Sequence, residues 1–412
     1  MEKQATREAY GQALEALGAT NENVVVLDAD LSKSTKTNLF QKKYPERFFD
    51  MGIAEQNMMG VAAGFAATGK VPFASTFAVF ATGRAYDQIR NTICYPRLNV
   101  KIAATHAGIT VGEDGGSHQA LEDINLMRGL PNMTVLVPAD GPEAYKAVMA
   151  AAAYDGPVYI RLGRSAVLTV TDPDADFVIG KGKLLREGTD VTLIACGMMV
   201  AVALDAAELL AAEGVHAAVI DMSTIKPIDR ALICEWAEKT GAVVTAEEHN
   251  IIGGLGSAVS EVLALECPTP LEMVGVEDVF GESGTAAQTL VTDSDGKATV
   301  YVKRGSYVVT ATHSRFTAAV TQTVKISAGR TVKLTGEILE NVQLVVTNAY
   351  GAPLSGAVVT VGGKSITTGT DGTASFSLKR GSYVAQVACT GYSAQSVQLS
   401  VTGSIRERVQ LK

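Results

Sequence analysis

The sequence predicts an α/β protein: two parallel-sheet α/β domains in succession, followed by an all-β, sandwich-like tail. Three observations carry this reading. Short β-branched runs alternate with helical patterns from residue 24 to about 164, and a second alternation of the same kind follows the polar linker Thr171-Asp-Pro-Asp-Ala-Asp-Phe177. Beyond about residue 290 the composition changes to Thr, Val, Ser and Gly, with period-two alternation and turn dipeptides. The boundaries that follow are 1–170, 178–288, 289–338 and 339–412.

In the first domain, Met1-Glu-Lys-Gln4 opens a polar, amphipathic helix. Val24-Val-Val-Leu-Asp28, Asn99-Val-Lys-Ile-Ala-Ala104, Met133-Thr-Val-Leu-Val137 and Val158-Tyr-Ile-Arg161 read as strands buried on both faces, as in a parallel sheet. A helix from Glu143 to Tyr154 links the last two. The Ala/Gly-rich segment 58–68 suits a helix packed closely on a sheet, and Pro72-Phe-Ala-Ser-Thr-Phe-Ala-Val-Phe80 is an apolar strand running into a helix that carries Arg84. The second domain supplies strands at Val191-Thr-Leu-Ile-Ala195, His216-Ala-Ala-Val-Ile220 and Ala242-Val-Val-Thr245, with helices near 200–213, 229–238 and 254–265.

The tail repeats itself. Asp295-Gly-Lys-Ala-Thr-Val-Tyr-Val-Lys-Arg-Gly-Ser-Tyr-Val308 returns as Asp371-Gly-Thr-Ala-Ser-Phe-Ser-Leu-Lys-Arg-Gly-Ser-Tyr-Val384, which means two copies of one small module. Asp-Gly supplies hairpin turns, and Arg-Gly-Ser-Tyr enters a strand whose Tyr packs inward. The second copy is complete, whereas the first lacks its opening strands, so strain or mispairing is expected near 285–291.

At 412 residues and 47% apolar content, the chain can bury real cores, and a net charge of −8 without a basic stripe argues against nucleic acid as a partner. No apolar run approaches the ~20 residues that span a bilayer. No secretion signal is visible, so a cytoplasmic location is expected. The five Cys lie far apart with no CxxC pair, which reads as buried free thiols in a reducing compartment, with no metal site.

The chemistry-bearing residues start with Gly52-Ile-Ala-Glu-Gln-Asn-Met58, which sets one acid, Glu55, at a strand-to-helix turn in apolar surroundings. A capping role and a fixed hydrogen bond to a ligand both suit a carboxylate there. Phe77 and Phe80 flank the turn after their strand. Thr105-His-Ala-Gly-Ile-Thr-Val-Gly-Glu-Asp-Gly-Gly-Ser-His118 places two of the five His on a glycine-rich loop after a buried strand, where parallel sheets locate their sites. Imidazoles can relay protons near neutral pH, whereas two His twelve apart on a loop lack a defined metal geometry. In Arg161-Leu-Gly-Arg-Ser165, Arg164 lies where a strand end would aim a guanidinium into the same cleft, a group suited to phosphate. Asp30 and Ser34 lie in a loop of the kind that often caps helices. Glu247-Glu-His-Asn250 and Gly253-Gly-Leu-Gly256 lack the spacing of a dinucleotide fingerprint, and His249 reads as structural.

Together these motifs make residues 5–288 resemble the pyrimidine-binding and C-terminal domains of transketolase. The resemblance implies a thiamine diphosphate enzyme in which Glu55 bonds N1′ of the aminopyrimidine and Phe77 and Phe80 enclose that ring; Gly83 stands where some members have a third aromatic. It further implies that Asp30 lies near the thiazolium, that His106 and His118 line the sugar channel and manage protons, that Asp114 bonds the donor sugar's hydroxyl, and that Arg164 and Ser34 meet its phosphate. The family binds Mg²⁺ through a Gly-Asp-Gly segment that this sequence lacks. The resemblance is therefore to the C-terminal half of a split transketolase, with the Mg²⁺ ligands and the diphosphate-binding domain on a partner chain. It implies inactivity alone, and a homodimer of this chain within an α2β2 assembly acting on sugar phosphates.

The β-subunit of a 2-oxoacid dehydrogenase and a deoxyxylulose-phosphate synthase are rival enzymes, and the Gly-Glu-Asp-Gly-Gly-Ser-His loop favours transketolase. The tail resembles carboxypeptidase-regulatory-like or prealbumin-like modules, so a surface or binding protein, or a passive tether, is the rival of a different class.

Overall fold

The structure is a computed structural model that describes residues 3–281, 305–312, 320–326, 332–334 and 339–412. It divides into two compact units, residues 1–289 and 290–412.

Among the described residues, the first unit holds two large sheets and a two-stranded one. The larger runs, in spatial order, Thr224–Lys226, Thr134–Leu136, Val158–Arg161, Lys101–Thr105, Val71–Phe77, Val24–Asp28, Phe48–Asp50. All neighbours are parallel except the first pair, where a strand of the second domain lies antiparallel on the edge of the first domain's sheet. The central strands are buried along their whole length, so they read as continuous apolar runs. Helices Thr6–Thr20 and Gly141–Ala153 cover one face with Tyr10, Leu14, Ala147 and Val148, and helix Glu55–Ala67 covers the other with Met58, Met59 and Ala62.

Differences from the sequence reading are local. The amino terminus enters as a short strand, Lys3–Ala5, paired with Ala166–Leu168, before the helix begins at Thr6. The turns after Phe77 are wider than α-helical: Phe80–Arg84 and Ile89–Cys94 are π-helical, the geometry that accommodates an extra residue.

The second sheet runs Leu271–Val276, Val243–Asn250, Val191–Ala195, Ala217–Asp221, Lys183–Arg186, parallel but for the last strand. Its helices are Met199–Ala212, Arg230–Thr240 and Leu255–Glu266. Among the described residues, no helix is long and apolar enough to cross a membrane.

The thiol reading needs correction. Cys94 and Cys196 are buried and free, and Cys389 is free but half-buried, whereas Cys234 and Cys267 form a disulfide with Cα atoms 5.6 Å apart. Helices Arg230–Thr240 and Leu255–Glu266 pack side by side and bring together positions 33 residues apart, which spacing alone could not foretell. Closing a loop of that size stabilises by about 3–4 kcal/mol in the chain-entropy treatment. The bridge also removes the support that a thiol-only chain lends to a reducing compartment. Denatured without reductant, the chain should titrate three thiols and, after reduction, five; five before reduction would contradict the pairing.

The second unit is all-β. A three-stranded sheet, ordered Thr373–Lys379, Leu339–Thr347, Ile405–Gln410, and a four-stranded one, ordered Lys364–Thr367, Val358–Val361, Gly381–Ala388, Gln395–Val401, share one core that includes Val342, Leu344, Phe376, Val387 and Leu399. Tyr383 packs against this core, and its hydroxyl donates to the Lys379 carbonyl at 3.0 Å. Of the first repeat, the antiparallel pair Gly305–Ala311 and Val320–Ile326 is described, matching the hairpin Gly381–Ala388 and Gln395–Val401 of the second. The junction expected to be strained, 285–291, lies outside the described residues.

Candidate active site at the carboxyl edge of the first sheet

Five adjacent parallel strands deliver the candidate residues to one edge. Asp30 follows Val24–Asp28, Glu55 follows Phe48–Asp50, Phe77 ends Val71–Phe77, His106 follows Lys101–Thr105, and Arg164 follows Val158–Arg161. The chain runs outward from Val24–Asp28 to Phe48–Asp50 and then crosses back to Val71–Phe77. Open α/β sheets bind ligands at such a reversal of strand order. Helix Glu55–Ala67 makes that crossing, so its first residue stands at the crevice.

Glu55 is 1% exposed although it opens a helix. Its Oε2 accepts a hydrogen bond from Arg84 Nη1 at 2.8 Å, and its Oε1 lies 3.5 Å from Thr76 Oγ1. Half of the Arg84 side chain is exposed, and its guanidinium lies over the Phe80 ring, 4.5 Å from the centroid. Glu55 is therefore more than a cap: one oxygen is charge-paired and the other only weakly bonded, beside an aromatic wall.

That wall contains four rings. Phe77 and Phe80 are nearly parallel with centroids 6.0 Å apart; His106 stacks on Phe77 at 3.8 Å, and His118 meets the edge of Phe80 at 5.3 Å. The gap between the two Phe rings is too small for a third ring, so they present one wall and not a sandwich. His106 adopts a left-handed backbone (φ +60°) and takes a hydrogen bond with Thr105 Oγ1 at 2.9 Å. Burial, with Arg7, Arg164 and His118 nearby, lowers its pKa from 6.5 to about 3. His106 is thus neutral in the fold but protonated in the unfolded chain below about pH 6.5. The unfolded state binds the extra proton between those values, so stability is lost as pH falls from about 6.5 toward 3. The imidazole carbon shifts of His106 should stay flat from pH 8 to 5 in a nuclear magnetic resonance titration, and a midpoint near 6.5 would contradict this burial.

The rim is basic. Arg7 donates to the Ser34 carbonyl at 2.8 Å, and burial together with the Arg164 charge lowers its pKa, while Asp114 works in the opposite direction. Gly112 (φ +83°) makes room for Arg164, since a Cβ there would fall 2.6 Å from Nη1. Asp30 and Asp114 are exposed, and His118 and Ser34 are half-buried. The Asp30 amide bonds to Asp50 Oδ1 at 3.1 Å, which also holds Gly52 N at 2.9 Å, so this loop is tied to the turn before Glu55.

Arg7 and Arg84 escaped the sequence reading. Arg7 lies in a helix whose polar pattern reads as solvated, and Arg84 is a single cation in the helix that begins at Phe80; neither has a local signal. His249, read as structural, is fully buried: Nε2 accepts from the Ile124 amide at 3.2 Å and Nδ1 donates to the Asn250 carbonyl at 2.6 Å, with burial lowering its pKa to about 4. The Gly253-Gly-Leu-Gly256 turn binds its own anion, because the Glu247 carboxylate accepts from the Leu255 and Gly256 amides at 2.7 and 2.8 Å. The helix start that might attract a phosphate is thereby filled from within.

A buried carboxylate beside an aromatic wall fits a flat, protonated heteroaromatic ring. A diphosphate with its metal is not matched in the same way: among the described residues, no three His, Cys, Asp or Glu side chains converge as metal ligands.

Residues 2–169 match the model of the transketolase pyrimidine-binding domain, and residues 180–292 match that of the transketolase C-terminal domain. This chain belongs to the transketolase family. A putative transketolase C-terminal section from Methanocaldococcus jannaschii is 52% identical over 287 residues, 69% of this chain and 90% of that protein. A 6-deoxy-6-sulfo-D-fructose transketolase subunit from a Clostridium species is 45% identical, covering 69% of this chain and 88% of its own length. Human transketolase is 41% identical, but the match spans only 46% of that longer protein. Among solved structures, a split gene transketolase described as an inactive beta4 tetramer aligns with a TM-score of 0.64 and 63% identity, over 68% of this chain and 91% of that one. The chain is thus the C-terminal section of a split transketolase, and its pyrimidine-binding domain implies use of thiamine diphosphate. None of these comparisons identifies the β tail.

Proposed function

We propose that this chain transfers a two-carbon ketol unit from a ketose phosphate to an aldose phosphate, once joined to a partner chain that carries the diphosphate-binding domain and the Mg²⁺ ligands. The observation that carries the reading is the convergence of Glu55, Phe77, His106 and Arg164 at one sheet edge, in a chain whose relatives include separate C-terminal sections. When bound, thiamine diphosphate supplies a nucleophilic carbon and an electron sink. The residues of this chain do the rest. Glu55 holds N1′ of the aminopyrimidine against the Phe77 and Phe80 wall, with Arg84 giving up or sharing its carboxylate, and Asp30 faces the thiazolium side. Asp114 accepts a hydrogen bond from the donor's hydroxyl. His106, neutral and buried, and His118 move protons at the sugar oxygens. Arg164 and Arg7, beside Ser34, form the anion seat, because two guanidiniums that repel each other gain from a shared anion. In the assembly this chain would pair with itself within an α2β2 complex.

The test is reconstitution with candidate partner sections, thiamine diphosphate and Mg²⁺, followed by an assay of ketol transfer. Activity with a partner and none without it is the expected result; no activity with any partner would end this reading. Guanidiniums do not separate phosphate from sulfonate, and one relative is a sulfosugar transketolase subunit, so sulfofructose belongs in the same assay.

A further inference from the structure

The glycine-rich loop of residues 105–118, which carries His106, Asp114 and His118, is held by the neighbouring domain. Glu248 lies in strand Val243–Asn250 of the second sheet and is 9% exposed. Its Oε1 accepts a hydrogen bond from the Thr110 amide at 2.6 Å. Met198, also of the second domain, approaches Thr110 Oγ1 with its sulfur at 3.5 Å, and Ser165 Oγ donates to the Thr110 carbonyl at 3.2 Å. A Cβ on Gly108 would fall 2.2 Å from the carboxyl carbon of Glu248, so this glycine (φ +83°) is what lets the acid approach the loop. The Glu248 backbone is fixed in turn: its carbonyl accepts from Arg161 Nη2 at 2.9 Å, and the next strand residue but one, Asn250, donates its amide to the Leu121 carbonyl at 2.8 Å. Behind the loop remains a cavity of about 30 Å³ of mixed lining, bounded by Glu248, Thr110, Arg161, Val137, Leu162 and Met198, room for about one water.

Beyond Thr110, Val111 is fully buried before the loop reaches the surface. Residues 113 and 114 are exposed, and the turn closes through single amide bonds, Gly115 to the Gly112 carbonyl at 3.1 Å and His118 to the Gly115 carbonyl at 3.0 Å. At its root the Ala107 amide donates to the Leu162 carbonyl at 3.2 Å, just past the end of strand Val158–Arg161, and the Gly108 amide donates to the Ala120 carbonyl at 2.9 Å. Glu248 thus supplies a side-chain anchor from the second domain between that root and Asp114.

We propose that Glu248 is a positioning residue, a latch through which the C-terminal domain sets the substrate loop of the pyrimidine-binding domain. The latch orients His106, Asp114 and His118 toward the sugar and touches neither cofactor nor substrate itself. Its kinetic consequence rests on the proposed function, but its structural consequence does not.

Hydrogen–deuterium exchange of the full chain tests the latch directly. In E248A, exchange of residues 105–118 should rise about tenfold or more, and in E248Q, which keeps an acceptor oxygen but loses the charge, about threefold. Helix Glu55–Ala67 and strand Val243–Asn250 should be unchanged. Loop exchange equal to wild type in both variants would overturn the proposal, as would a rise spread evenly over the second domain. Should E248A not fold, E248Q alone decides between the same results. In the reconstituted enzyme, E248A should raise KM for the ketose donor about fivefold or more, with the affinity for thiamine diphosphate within about twofold of wild type, E248Q lying between. An equal loss of cofactor affinity would overturn the assignment to the substrate loop. If no partner yields activity, the exchange result stands while the proposed function falls.

Discussion

Glu55→Ala should leave the reconstituted enzyme able to assemble but lower ketol transfer by about 10²–10⁴-fold, the usual contribution of a positioned acid or base. The argument is electrostatic. Glu55 is 1% exposed, so any proton or positive charge it meets does so in a medium of low polarity, where the interaction is strong. On the proposed function, an alanine would remove the partner of the aminopyrimidine nitrogen without disturbing the diphosphate seat assigned to the partner chain, so cofactor affinity should fall far less than turnover. The fold should tolerate the change, since the orphaned Arg84 side chain is half exposed and can be solvated. Glu55→Gln separates charge from shape: it keeps the hydrogen bond but loses the ionised group, and should recover little activity. Single-turnover assays beside cofactor titrations provide the measurement. Turnover within a few-fold of wild type in both variants would sink the assigned role of Glu55.

Arg161→Met should destabilise the α/β unit by about 3–5 kcal/mol, the cost of leaving one member of a buried ion pair without its partner. Arg161 bonds Asp123 through Nε at 2.7 Å and Nη2 at 3.1 Å, and also reaches the Ala120 and Glu248 carbonyls. Asp123 is fully buried and accepts from Tyr159 Oη at 2.7 Å. Burial pushes the Asp123 carboxyl up, but Arg161, His249 and the Tyr159 hydroxyl outweigh it and hold the pKa below the ordinary value. Methionine strands this carboxylate in the seam between the two domains. Combining it with Asp123→Leu removes the stranded charge and should recover part of the loss. Trp236, the single Trp, is buried in helix Arg230–Thr240 and reports urea unfolding of this unit. A midpoint shift of about 1–2 M is expected for Arg161→Met. A shift below about 0.3 M would show that the pair is dispensable.

Much of the first unit was legible without coordinates. Strands Val24–Asp28, Val158–Arg161 and Val191–Ala195 coincide with the runs read from β-branched content, because strands buried on both faces leave an unbroken apolar signature. Helix boundaries moved by a residue or two, as with Gly141–Ala153, where Asp140 caps the start by accepting from the Glu143 amide at 3.0 Å. In the tail, the recurrence of Arg-Gly-Ser-Tyr marked a strand pair common to both copies, whereas Asp371-Gly372, read as a hairpin turn, joins Lys364–Thr367 to Thr373–Lys379, which lie in different sheets, and Asp295-Gly296 lies outside the described residues.

Other features have no local signature. Arg7 and Arg84, the Cys234–Cys267 bridge and the Glu248 contact each depend on distant parts of the chain meeting. Arg161 shows the same limit: as the last residue of a strand it read as a boundary, and only the packed second domain makes it the centre of a buried network. The sequence by itself determined the succession of domains, the buried strands and the acid of the Gly-Ile-Ala-Glu-Gln-Asn-Met stretch, because periodicity and turn chemistry act over a few residues. Only the tertiary structure decided which cation sits on that acid, which imidazoles join Phe77 and Phe80 in the wall beside it and which domain holds the 105–118 loop, because those contacts join residues from 29 to 138 positions apart.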